Sequence, residues 1–138
     1  MDVPEVRRRV RAAIERDRRD SASRRERVDA ATREFGDFLS ARAVPLFHQL
    51  ASALIAEGHR YKVFTPASSV RLVSERTAED YVELLLDTTI DPPVVLGRTS
   101  KGRGRNAITH ERAVREGAGV LDITDEDVAD FVLGELFR

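Results

Sequence analysis

The strongest constraint on this chain is a change of hydrophobic period at Gly58. Before it, apolar residues recur every three or four positions; after it, they alternate. The first spacing places side chains on one face of a helix and the second on one face of a strand. A helical half followed by a sheet half predicts an α+β fold, with N-terminal helices packed on an antiparallel sheet.

Within the helical half, Val28, Ala31, Phe35, Phe38 and Leu39 form one stripe, and Phe47, Leu50, Ala51 and Leu54 continue it. Pro45 interrupts them; it lacks an N–H and its ring crowds the preceding turn. The expectation is a helix to about Ala43 and a second over residues 45–57, stopped by Gly58. Upstream, Val3, Val6, Val10 and Ile14 define a narrower stripe, with Pro4 suited to a first helical turn. From Asp17 to Arg27 only Ala22 is apolar. Helix there must be solvated and supported by pairs such as Glu15 with Arg19, or give way to a bend near Ser21 to Ser23. The chain thus divides into an arginine-rich helical arm, residues 1–27, and an α+β core, residues 28–138.

Five alternating segments follow, at residues 61–65, 69–74, 81–88, 94–99 and 106–113. Short links between them predict a five-stranded antiparallel meander, because parallel neighbours need a crossover of about a dozen residues. The third segment has a helical alternative over 78–86, since Thr77 and Asp80 could cap a helix. At the end, Thr124 reads as an N-cap and Asp125, Glu126 and Asp127 favour the positive end of a helix dipole. Val128, Phe131, Val132, Leu136 and Phe137 supply the apolar face of this closing helix. The expected core is Phe35, Phe38, Leu39, Phe47, Leu50, Leu54, Val63, Val70, Leu72, Val82, Leu84, Leu86, Val95, Ile108, Val128, Phe131, Val132 and Leu136.

Composition narrows the function classes. With 41% apolar and 34% charged residues, the chain has enough to build a core and a heavily charged surface. The absence of cysteine removes disulfides, thiolate metal sites and cysteine nucleophiles, and fits a cytoplasmic setting. No uninterrupted apolar run approaches the roughly 18 residues of a membrane span, and the first twenty residues are dense in Arg, Asp and Glu, so neither a membrane partner nor a signal peptide is expected. The net charge of -1 conceals an asymmetry: residues 1–27 carry ten Arg against six acids, +4, and residues 121–138 carry six acids against Arg138, -5. Opposite ends of opposite sign attract when they come within about a Debye length, roughly 8 to 10 Å.

Motifs for chemistry are weak. Gly97 to Gly102 has the glycine spacing of a phosphate-binding loop, but Arg103-Gly104 stands where Lys followed by Ser or Thr is needed. His48, His59 and His110 lack metal-ligand spacing, and His48 reads as a hydrogen-bonded residue at the core's edge. No Gly-x-Ser-x-Gly elbow occurs. Glu83, Asp87 and His110 would be the first residues to inspect for catalysis, but no signature unites them. No catalytic residue, cofactor or metal is assigned.

Two interaction features remain. The stripe Val3, Val6, Val10 and Ile14 suits pairing with another helix in coiled-coil fashion, and its arginines suit acidic surfaces such as Asp125 to Asp130. The expectation is a non-catalytic interaction or assembly protein, a homo-oligomer or a small subunit of a larger complex. The alternative is nucleic-acid binding through the basic loop Arg98, Lys101, Arg103 and Arg105, joined by the arginine-rich arm. That loop has two glycines allowing close backbone approach but no aromatics for base stacking.

Overall fold

The computed structural model describes all of residues 1–138. Its order is α1 (Val3–Phe38), a π-helical turn (Leu39–Ala43), α2 (Val44–Ala56), β1 (Tyr61–Phe64), β2 (Val70–Ser74), β3 (Tyr81–Asp87), β4 (Val94–Arg103), β5 (Asn106–Ala113), a 3-10 turn (Val120–Asp122) and α3 (Asp125–Leu136). The strands form one antiparallel meander in the order β1-β2-β3-β4-β5. The expected α+β architecture is the one observed, and residues 81–87 are strand, not helix.

Pro45 does not break the helix. The π turn widens the backbone just before it, and Val44 donates its N–H to Leu39 O, five residues back. The ring of Pro45 then fits at the start of α2, and α1, the turn and α2 run as one rod from Val3 to Ala56. The chain does not bend at Ser21 to Ser23 either. One 18-residue window of this rod reaches mean hydropathy 1.2. Its central apolar residues, Phe47, Ala51 and Leu54, are buried in the protein's own core.

All three helices cover the same sheet face. Val70, Leu72, Val82, Leu84 and Val95 project from that face onto Ala31, Phe35 and Phe38 of α1, Phe47, Ala51 and Leu54 of α2, and Val128, Phe131 and Val132 of α3. The register sets these faces: Leu72 lies opposite Val82 and Leu84 opposite Gly97. Gly97 has no side chain because a β-carbon there would overlap the ring of Phe131. Leu39, Leu50, Val63, Leu86 and Leu136 pack on the core while keeping some exposure.

Three expectations about burial need correction. Phe137 does not share the apolar face of α3: it follows the last helical residue, is 58% exposed and meets His59 edge on. Ile108 has the parity of the core face, but β5 lies beyond the helices' cover and Ile108 is 44% exposed. His48 is exposed on α2, away from the core's edge. The segment after β5 supplies core residues that periodicity does not reveal, namely Val114, Ala118, Val120 and Ile123. They seal the sheet end beneath α1.

Thr124 caps α3 as expected. Its hydroxyl accepts from the Asp127 N–H at 3.1 Å, and the Asp127 carboxylate accepts from the Thr124 N–H at 3.0 Å. This reciprocal box holds Ile123 and Val128, both fully buried, at the helix entrance.

Candidate interaction surfaces

Val3, Val6, Val10 and Ile14 lie on the part of α1 that leaves the body. Asp2 caps this helix by accepting from the Glu5 N–H at 2.9 Å, and Pro4 occupies the first turn. The ion pairs Glu5–Arg9 at 3.4 Å and Glu15–Arg19 at 3.3 Å run along the helix itself. Such pairs contribute about 0.2–0.5 kcal/mol each. The first hydrogen bonds to the body come at Arg24, which donates to Thr89 O at 3.4 Å, and at Arg27, which grips Asp91 with two bonds of 2.8 and 2.7 Å. Some twenty residues therefore overhang the body, about 30 Å of helix.

The overhang exposes its apolar stripe, at 72% for Val3, 43% for Val6, 51% for Val10 and 48% for Ile14. At 100° per residue these four fall within an arc of roughly 80° that overlaps the arc of Val28, Ala31, Phe35 and Phe38. The stripe is thus a continuation of the core-facing side of the same helix, carried past the end of the core. The Arg27–Asp91 pair ties the helix to the body where the core ends: the hydrogen bond between them holds the Asp91 carboxyl below, and the Arg27 guanidinium above, their ordinary pKa ranges.

The four basic residues near the β4–β5 hairpin do not form one loop. β4 continues to Arg103, and only Gly104 and Arg105 make the turn between Arg103 and Asn106. Gly104, with φ 62° ahead of a residue with negative φ, suits the first central position of a type II′ turn. Arg98 lies in mid-strand on the outer sheet face, where Arg71, Glu83, Arg98 and Glu111 stand directly opposite one another across β2, β3, β4 and β5. Arg71–Glu83 and Glu83–Arg98 are both 3.2 Å and Arg98–Glu111 is 2.8 Å. Ser69 adds a hydroxyl donor to Glu83 at 2.8 Å, and Arg71 stacks on Tyr81 at 4.0 Å. The hydrogen bond to Glu111 raises the Arg98 pKa further. Arg98 is committed to this ladder.

Lys101, Arg103 and Arg105 remain at the hairpin's end. Gly102 is not open to a ligand, for its N–H donates to Asp80 at 2.7 Å and Glu79 packs beside it. The arm leaves the body beside the β3–β4 link, at one end of β4, and the basic turn lies at the other. The ten residues of β4 put about 30 Å between them.

The acidic C-terminal segment has partners of its own. Asp125 pairs with Arg42 at 3.0 Å, Asp127 with Arg115 at 3.1 Å, and buried Glu135 with Arg112 at 3.0 Å and Arg138 at 3.6 Å. Glu126 and Asp130 form no ion pair and are exposed; with Leu133 and Phe137, 39% and 58% exposed, they follow the 4-3-4 spacing of one outward stripe on α3. Sequence reasoning missed this stripe because it reads the helix for its buried side.

The catalytic candidates do not converge. Glu83 is in the outer-face ladder, Asp87 is bound to the Thr89 hydroxyl and N–H beyond the end of β3, and His110 is on β5 opposite Thr99. Those Thr89 bonds lower the Asp87 pKa. No group of three His, Asp or Glu side chains is placed to hold a metal ion. Compared with known proteins, the chain matches no protein-family model, no curated protein and no solved structure.

Proposed function

We propose that this chain is a non-catalytic assembly protein in which the arm of one copy docks on another copy through Val3, Val6, Val10 and Ile14. The observation that carries this reading is the overhang itself. Continuity with the packed part of α1 and its own ion pairs keep the overhang helical, but its one apolar stripe extends the core-facing side of α1 with nothing beneath it.

Charge indicates the receiving surface. The arm is net positive, and the outward stripe of α3 offers Glu126 and Asp130 without internal partners, next to exposed Leu133 and Phe137. An apolar seam flanked by arginines meets an apolar seam flanked by acids, an arrangement that favours this register over arm against arm, where the arginines would repel.

The test is the mass in solution by light scattering of the full chain, of the chain lacking residues 1–20, and of Glu126→Lys/Asp130→Lys. Both alterations are expected to lower the mass, and added salt to lower that of the full chain. The same mass in all three would remove the reading.

A further inference from the structure

The geometry points to a second, independent interface: the outer edge of β5 pairs with β5 of another copy about a two-fold axis, making one continuous ten-stranded sheet.

β5 is a long, open edge. Seven of its eight residues are exposed, and no helix or loop covers its outer side between Asn106 and Arg112. It contains no proline, and its strong charges are already spent within the chain, Glu111 on Arg98 and Arg112 on Glu135. The devices that normally blunt an edge, such as proline, a bulge or a free lysine, are absent from it. The other edge, β1, has only four residues.

The hairpin defines which backbone groups are free. A two-residue turn makes Arg103 and Asn106 a hydrogen-bonded pair, so residues 106, 108, 110 and 112 bond to β4 and residues 107, 109 and 111, with the half-buried 113, turn their N–H and C=O outward. Two observed bonds agree with this parity: Val114 N–H donates to Val95 O, and Gly102 N–H points the other way, to Asp80.

A second copy of β5 fits this edge in one register better than in its neighbours. With Thr109 opposite Thr109 of the second copy, Ala107 meets Glu111 and Glu111 meets Ala107. All three exposed outward-facing residues of each strand then exchange bonds, six N–H···O=C bonds in all on ladder geometry. The side chains that face each other are Ile108 with His110 and Asn106 with Arg112, so no like charges oppose and the exposed Ile108 side chains are covered. Centring the pairing on Glu111 would oppose two carboxylates. Centring it on Ile108 sets Glu111 opposite Arg105 in the turn, and centring it on His110 sets Ala107 opposite Ala113, which is half-buried at the end of β5, and opposes the two His110 side chains. Self-complementarity across residues 106–112 is what selects a second copy as the occupant.

The β5 edge is independent of the arm, and substitutions in each act on separate contacts. Thr109→Pro removes an outward N–H while sparing the β4 ladder, and Thr109→Lys places like charges on the two-fold axis. Either is expected to halve the mass of the chain lacking residues 1–20, with circular dichroism unchanged; the Lys variant covers the case in which Pro disturbs the strand. Because the chain has no cysteine, Thr109→Cys provides a direct probe. Hydrogen-bonded pairs have Cα atoms about 5.5 Å apart, within disulfide reach. Mild oxidation is expected to convert Thr109→Cys to a disulfide dimer and to leave Ala107→Cys uncross-linked. Equal cross-linking at the two positions, or an unchanged mass in both the Pro and Lys variants, would overturn the proposal.

Discussion

At the scale of single residues, Glu83 is the most informative side chain. It is only 4% exposed, yet it bears a charge and sits on the sheet face that no helix covers. It is shielded by its own partners, because Arg71 and Arg98 lie over it from the flanking strands. Removing one member of a buried ion pair costs about 3–5 kcal/mol, less where the stranded partner can rehydrate. Arg71 and Arg98 are 28% and 31% exposed, so Glu83→Ala is expected to destabilise by about 2–3 kcal/mol and Glu83→Gln by less. Urea denaturation measures both; a loss below about 0.5 kcal/mol would mark Glu83 as an ordinary surface residue. The alternation of Arg71 and Glu83 with apolar neighbours was legible in the sequence, but not that the four ladder residues face one another. Facing depends on register, which no single strand carries. For the same reason Arg98 read as a loop cation when its side chain was already bound.

At the scale of elements, the C-terminal helix was the most legible, since its start is written in contiguous residues: the cap and the acidic first turn are both local. The N-terminal rod was less so. Pro45 is a strong local signal for a break, and the π turn that absorbs it depends on burial of Ala43 and Phe47 in a core completed by the sheet and α3, which lie far along the chain. The connection carrying Val114, Ala118, Val120 and Ile123 has no period to read. The α3 cap also makes a prediction in pH. The Thr124 N–H above all, then Arg115, holds the Asp127 carboxyl below its ordinary range. A depressed folded value means that the cap's stabilisation is complete above the unfolded aspartate value, about 3.9, and is lost as pH falls through the lower folded value. Between about pH 5 and pH 2 the thermal midpoint of the wild-type chain is expected to fall more steeply than that of Asp127→Asn, which keeps the side-chain shape without the charge. Parallel slopes would assign the acid sensitivity to other carboxylates.

At the scale of the whole molecule, the two proposed contacts differ in symmetry. Edge pairing is two-fold and closes on itself. Docking of an arm on the α3 of another copy closes a two-fold pair when it is reciprocal, and otherwise runs head-to-tail until a ring closes or a filament grows. Together they predict that loss of the arm leaves dimers, that Thr109→Pro leaves arm-linked chains, and that the double variant is a monomer. A double variant that still self-associates would reveal a third surface. What the arm can reach also depends on mechanics. Beyond Arg27 the helix is a lever about 35 Å long with Asp91 as its bracket, so a tilt of only about 10° there swings Val3 through roughly 6 Å. Beyond the packed residues Ala31, Phe35 and Phe38, the aim of the whole seam is steadied by two solvent-open contacts, Arg24 with Thr89 and Arg27 with Asp91, the second an ion pair that salt weakens.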